Sequence, residues 1–118
     1  MPRYALLIQH AERSLGDLSP SEQQRTLSRY FAWIDDLVER DVMQQRESLR
    51  EGGRILRIID GEVIDGPYTE CKEVIGGFFI VDVEDEETAR SIARTCPALE
   101  YGDAVQVREI RDVELGRR

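Results

Sequence analysis

"VIGGFFIVDV", residues 74–83, decides the fold. Apolar side chains fill consecutive positions from Phe78 to Val81, so an extended segment here is dry on both faces, as a strand inside a sheet is. Gly76-Gly77 weakens its start. Downstream, Asp85 is placed to cap a helix that carries Ala89, Ile92, Ala93 and Cys96 on one side and is stopped by Pro97. "AVQVREI", residues 104–110, then alternates, with Val105 and Val107 set against Gln106 and Arg108.

Upstream, "DGPYTECKE", residues 65–73, packs a turn signal, a phenol, a thiol and several charges into nine residues. Before it, "RILRIIDGEVI", residues 54–64, reads as a hairpin, because Asp60-Gly61 suits the type I′ turn that joins two strands. "VMQQRESLREGG", residues 42–53, is ambiguous: extended at most, and broken by Gly52-Gly53. A long helix precedes it. Ser19 as N-cap, Pro20 at the first helical position and Glu22 completing a capping box mark its start. Leu27, Tyr30, Phe31, Ile34, Leu37 and Val38 give it one apolar stripe, and it ends near Arg40 or Asp41. Trp33 lies off that stripe, on a partner-facing or half-buried surface position. "YALLI", Tyr4 to Ile8, is a first strand that is again apolar on both faces.

The order β-α-β-β-α-β predicts a ferredoxin-like α+β fold, a four-stranded antiparallel sheet with two helices on one face. That fold puts its first and third strands in the middle, and these are the strands with continuous apolar runs. Two helices cover one face, yet Leu7 opposes Leu6 and Ile8, and Phe78 and Ile80 oppose Phe79 and Val81. A second subunit packed on the uncovered face, closing a dimeric α+β barrel, satisfies both sides. A small apolar ligand there is the rival remedy.

With 118 residues, no low-complexity tract and no long linker, the chain reads as one domain, residues 1–118. A formal net charge of −8 argues against direct nucleic-acid binding, which depends on neutralising phosphates. Two cysteines and one histidine offer no metal-ligand spacing, and neither a P-loop nor a GxGxxG motif is present. No cofactor is therefore expected. The apolar run after Arg3 is too short for a secretory or membrane segment. Cytoplasmic is the expected location.

"DGPYTECKE" followed by "IGGFFIVDV" closely resembles the DGPF motif of the YCII-related family. "ALLI" near the start, "DLSPSE" at the helix entry and the final "VQVREI" extend the likeness over nearly the whole chain. The resemblance implies a homodimeric α+β barrel, and a link to extracytoplasmic-function sigma factors, hence a regulatory partner as the alternative to an enzyme. Tyr68 stands where Phe is usual, and Cys71 where a small polar residue is common. A His-Asp pair has been suggested as catalytic in the wider family, but the sequence around His10 lacks that histidine motif, so the pair is not carried over.

Taken as structure, Asp65-Gly66-Pro67 forms a turn and Glu70, Lys72 and Glu73 are solvated charges. Taken as function, a loop folded over the dimer cleft makes Asp65, Glu70 and Lys72, with His10, the candidate acid–base groups. Gly66, Pro67, Tyr68 and Glu73 are then the candidate ligand contacts. Histidine as a residue type exchanges protons near neutral pH, which is the reason His10 is in this set. Cys71 is a weaker nucleophile candidate, and Arg46 and Glu47 are candidate cleft residues. The expectation is a small-molecule-binding dimer with possible acid–base catalysis and no metal.

Overall fold

The computed structural model describes residues 1–10, 18–50, 52–67 and 74–111. In chain order the elements are β1 (Arg3–His10), α1 (Pro20–Glu39), β2 (Met43–Ser48), β3 (Arg54–Ile59), β4 (Glu62–Pro67), β5 (Val74–Asp82), α2 (Glu86–Arg94), a short 3-10 helix (Pro97–Tyr101) and β6 (Ala104–Glu109). β2, β5, β1 and β6 form one sheet in that order, with every neighbouring pair antiparallel. This is the ferredoxin-like arrangement, and the two strands with continuous apolar runs, β1 and β5, are its centre.

Two assignments differ from the sequence reading. The second strand of the sheet is Met43–Ser48, the ambiguous stretch, while the hairpin β3–β4 forms a separate two-stranded sheet. β2 hides from a hydropathy reading because it is an edge strand of polar residues. Met43 packs against the core, and backbone pairing with β5 holds the rest. The second difference is the face of α1. Thr26, Trp33, Ile34 and Leu37 are buried, whereas Leu27, Phe31 and Val38 are exposed. Trp33 belongs to the core rather than to a partner-facing surface. Its ring meets Phe79 edge-on at 5.0 Å, and its indole N–H donates to Thr95 Oγ1 at 2.8 Å. The largest apolar side chain, with its polar tip satisfied, outweighs the smaller stripe in setting the helix face.

The helix ends follow their sequence signals. The Ser19 hydroxyl accepts from the Glu22 N–H and Glu22 accepts from the Ser19 N–H, while Arg40 is the C-cap. The Asp85 carboxylate accepts from both the N–H and the hydroxyl of Thr88. The core between helices and sheet gathers Tyr4, Leu6, Ile8, Trp33, Ile34, Leu37, Phe79, Val81, Ala89, Ile92 and Cys96. On the other face Ala5 and Leu7 stand beside Ile80 and Phe78 in register, and all four are half-buried without a covering layer among the described residues. Gln106 and Arg108 flank them from β6, and Gln45 and Glu47 from β2. No helix among the described residues is long and apolar enough to cross a membrane.

Candidate functional site

The pairing of β1 with β5 slips by one residue near its end. Ile8 opposes Gly77, but Gln9 opposes Ile75 and His10 opposes Val74, leaving Gly76 as the extra residue of a bulge. The His10 imidazole fills the space above it. A Cβ built on Gly76 would lie 1.8 Å from His10 Nε2 and 2.0 Å from Cδ2. Only a residue without a side chain leaves room for the ring there.

On its other side β1 pairs with β6, and Gln9 opposes Ala104. Asp103, one residue before that pair, is thereby set beside His10. The 3-10 helix ends at Gly102 in the left-handed conformation, φ 84°, and the Asp103 N–H donates to Ala98 O at 3.3 Å, which ties the Asp103 backbone down. Its Oδ2 lies 3.0 Å from His10 Nδ1. The Asp103 side chain is 9% exposed and that of His10 43%, so the carboxylate is sheltered and the imidazole remains open to solvent. An ionised carboxylate only accepts, so against an ionised Asp103 the Nδ1 is the donor and the Nε2 lone pair is left for a bound molecule.

Two further groups line the inner side of this cluster. Burial pushes the Cys96 thiol up, and the charge of Asp103 adds to that. Burial likewise raises the Tyr30 phenol far above its ordinary range, helped by Cys96 and Asp103. Both stay protonated near neutral pH, and a buried, protonated thiol is not a nucleophile. The Tyr101 hydroxyl, on the 3-10 helix, is hydrogen-bonded to Thr26 of α1, whose hydroxyl also donates to Glu22 O at 2.7 Å. The 3-10 helix that leads into Asp103 is thus fastened to α1.

The other sequence candidates fall elsewhere. Asp65 is exposed on β4, where its Oδ1 accepts from Arg54 Nε at 2.9 Å. Gly66 opposes Ile55 and Pro67 opposes Arg54 in the hairpin. Tyr68, Glu70, Cys71, Lys72 and Glu73 lie outside the described residues. Glu47 stands beside Phe78 on the uncovered sheet face, and Arg46 opposes Phe79. Among the described residues no three His, Cys, Asp or Glu side chains converge to hold a metal ion. Asp103 is the residue that sequence reasoning missed. Its signal was positional: a carboxylate directly before a strand that pairs antiparallel with the one ending at His10.

The element order and the sheet order β2-β5-β1-β6 are those of a ferredoxin-like α+β domain. Over residues 2–114 the sequence matches the YCII-related domain, and the chain belongs to that family. Among solved structures it is similar to 5-chloro-2-hydroxyhydroquinone dehydrochlorinase from Burkholderia phenoliruptrix AC1100, in complex with 2,5-dihydroxybenzoquinone. The likeness has a TM-score of 0.46 and 20% identity, over 91% of this chain and 93% of that one. No curated protein matches the chain.

Proposed function

We propose that the chain is a homodimeric, cytoplasmic small-molecule-binding protein that performs acid–base chemistry at His10. The observation that carries this reading is the 3.0 Å contact between His10 Nδ1 and the sheltered Asp103 carboxylate. Asp103 holds the ring in one tautomer and stabilises the imidazolium that forms when Nε2 takes a proton from a bound molecule. The same nitrogen then returns the proton to another atom of that molecule or to water. Binding is assigned to this same end of the sheet, where the His10 ring stays open to solvent beside the sheltered Asp103 carboxylate.

The dimer half of the proposal rests on the uncovered face. Ala5, Leu7, Phe78 and Ile80 form an apolar strip between polar flanks, and a second copy presenting the same strip buries both. A reducing compartment suits Cys96, which is a buried free thiol. No observation favours the sigma-factor partnership.

The chain has one histidine, so its imidazole signals are assigned without further labelling. The test is a panel of small polar and aromatic acids, phenols and carbonyl compounds, screened by thermal shift and by histidine NMR on tag-free protein. A compound that stabilises the wild type, perturbs the His10 signals and loses its effect in His10→Asn is the expected result. If every stabiliser acts equally on His10→Asn, the site is not where ligands bind and the reading falls.

A further inference from the structure

We propose that the β3–β4 hairpin is an arm that clasps a second copy of the chain, extending the contact beyond the sheet face. This rests on the sheet-face dimer proposed above.

The hairpin is well specified. Asp60 at φ 51° and Gly61 at φ 82° make the tight turn that its sequence signals, and six cross-strand pairs run from Ile59↔Glu62 to Arg54↔Pro67. Its strands pair with each other and not with the four-stranded sheet. One face carries Leu56, Ile58 and Val63 with the Arg54–Asp65 ion pair at its base; the other carries Ile55, Ile59 and Ile64 with Arg57 and Glu62. Leu56 is 61% exposed, Ile58 74%, Ile59 52%, Val63 64% and Ile64 42%. A two-stranded ribbon is marginal by itself in water, and apolar side chains on both of its faces make it an association surface.

Topology says what meets it. The chain leaves the sheet at the end of β2 and returns at the start of β5. Those are the strands that contribute Gln45, Glu47, Phe78 and Ile80 to the uncovered face. The arm therefore springs from the rim of the surface that the second copy covers.

Area points the same way. An apolar side chain presents roughly 60–120 Å², so five supply on the order of 300–600 Å² per arm, and a two-fold pair of arms about twice that. A stable dimer buries roughly 1,200–2,000 Å² in total. The arms and the strip of Ala5, Leu7, Phe78 and Ile80 reach that range together. The hairpin sets Arg54 and Arg57 against Asp60, Glu62 and Asp65, so its own charge is nearly balanced: two arms meet with little mutual repulsion, and the arm has no basic patch to hold an anionic headgroup.

Sedimentation of the full chain over a concentration series tests the arm, with Ile58→Ser/Val63→Ser as the arm variant and Ile58→Val/Val63→Ile as its conservative control. The expected result is a wild-type dimer, an arm variant whose dissociation constant rises about tenfold or more, and a control that dimerises normally. Hydrogen exchange adds a second readout: amides of residues 54–67 are protected in the dimer and lose that protection on dilution. An arm variant that dimerises as tightly as the wild type overturns the arm and leaves the sheet-face dimer standing. A wild type that stays monomeric throughout overturns both. Protection of 54–67 that appears only with phosphatidylcholine vesicles assigns the arm to lipid and overturns the proposal.

Discussion

His10 and Asp103, 93 residues apart in sequence, meet at 3.0 Å because β1 lies between β5 and β6 in the sheet. β5 supplies the glycine over which the ring lies, and the turn before β6 supplies the carboxylate. The pair is a product of strand register, and its predicted behaviour follows from that geometry.

Asp103→Asn offers the ring a donor as readily as an acceptor, so the bias toward the Nδ1–H form is lost. Imidazole ¹⁵N shifts of the neutral ring distinguish the tautomers. The Nδ1–H form is expected to dominate in the wild type and to fall in the variant. A wild-type spectrum dominated by Nε2–H would contradict the carboxylate pairing. In an assay of the reaction at this site, the substitution is expected to lower kcat by about 10²–10⁴-fold.

The adjacent glycines are expected to respond differently to alanine. At Gly76 the obstacle is the movable His10 ring, so Gly76→Ala displaces the imidazole and gives the same tautomer signature as Asp103→Asn, with a small loss of stability. Removing the ring in His10→Ala/Gly76→Ala relieves the conflict. At Gly77 the obstacle is the Glu47 backbone oxygen, 2.7 Å from the built Cβ, and β2 must shift away from β5. Urea denaturation is expected to show a cost of about 1–3 kcal/mol for Gly77→Ala, whether or not His10 is present.

Trp33 and Phe31, two residues apart on α1, are predicted to differ most in stability. Trp33→Ala empties a core position against Phe79 and leaves Thr95 without its indole donor. It is expected to cost about 3–5 kcal/mol. Phe31 is 61% exposed, so Phe31→Ala is expected to stay within about 0.5 kcal/mol. Equal losses in denaturant titrations would place the core face of α1 where the apolar stripe alone puts it.

Asp85 gives the chain an acid-sensitive helix start. Hydrogen bonds from the side chain and backbone of Thr88 hold its carboxyl below the ordinary value of 3.8. A depressed carboxyl stabilises the folded state above the unfolded pKa, and that contribution is lost as pH falls through the folded one. Asp85→Asn keeps a capping oxygen but cannot titrate, so its stability is expected to fall less than that of the wild type below pH 3.8. Parallel acid titrations followed by circular dichroism check this, and superimposable curves would dismiss the cap as the titrating element.

The fold was largely legible because its signals are local. Ser19, Pro20 and Glu22 begin one helix, Asp85 begins the other, Asp60-Gly61 turns the hairpin, and the apolar runs of β1 and β5 mark the centre of the sheet. β2 was obscure because an edge strand is held by backbone hydrogen bonds, which any residue except proline supplies. The face of α1 was misread because periodicity weighs six similar side chains evenly, whereas packing favours the one large ring that Phe79 and Thr95 receive.

For the candidate site the division is sharper. The sequence by itself determined the family, the element order, the cap residues and the presence of one histidine at the end of a strand. Tertiary structure alone decided that Asp103 is its partner, that Gly76 provides the space for its ring, and that Asp65 belongs to an exposed hairpin paired with Arg54. Helix caps and turns are written within a few residues, so the chain declares them locally. A contact across two strand pairings depends on register and on a one-residue bulge, and these are fixed when the whole sheet closes over its core.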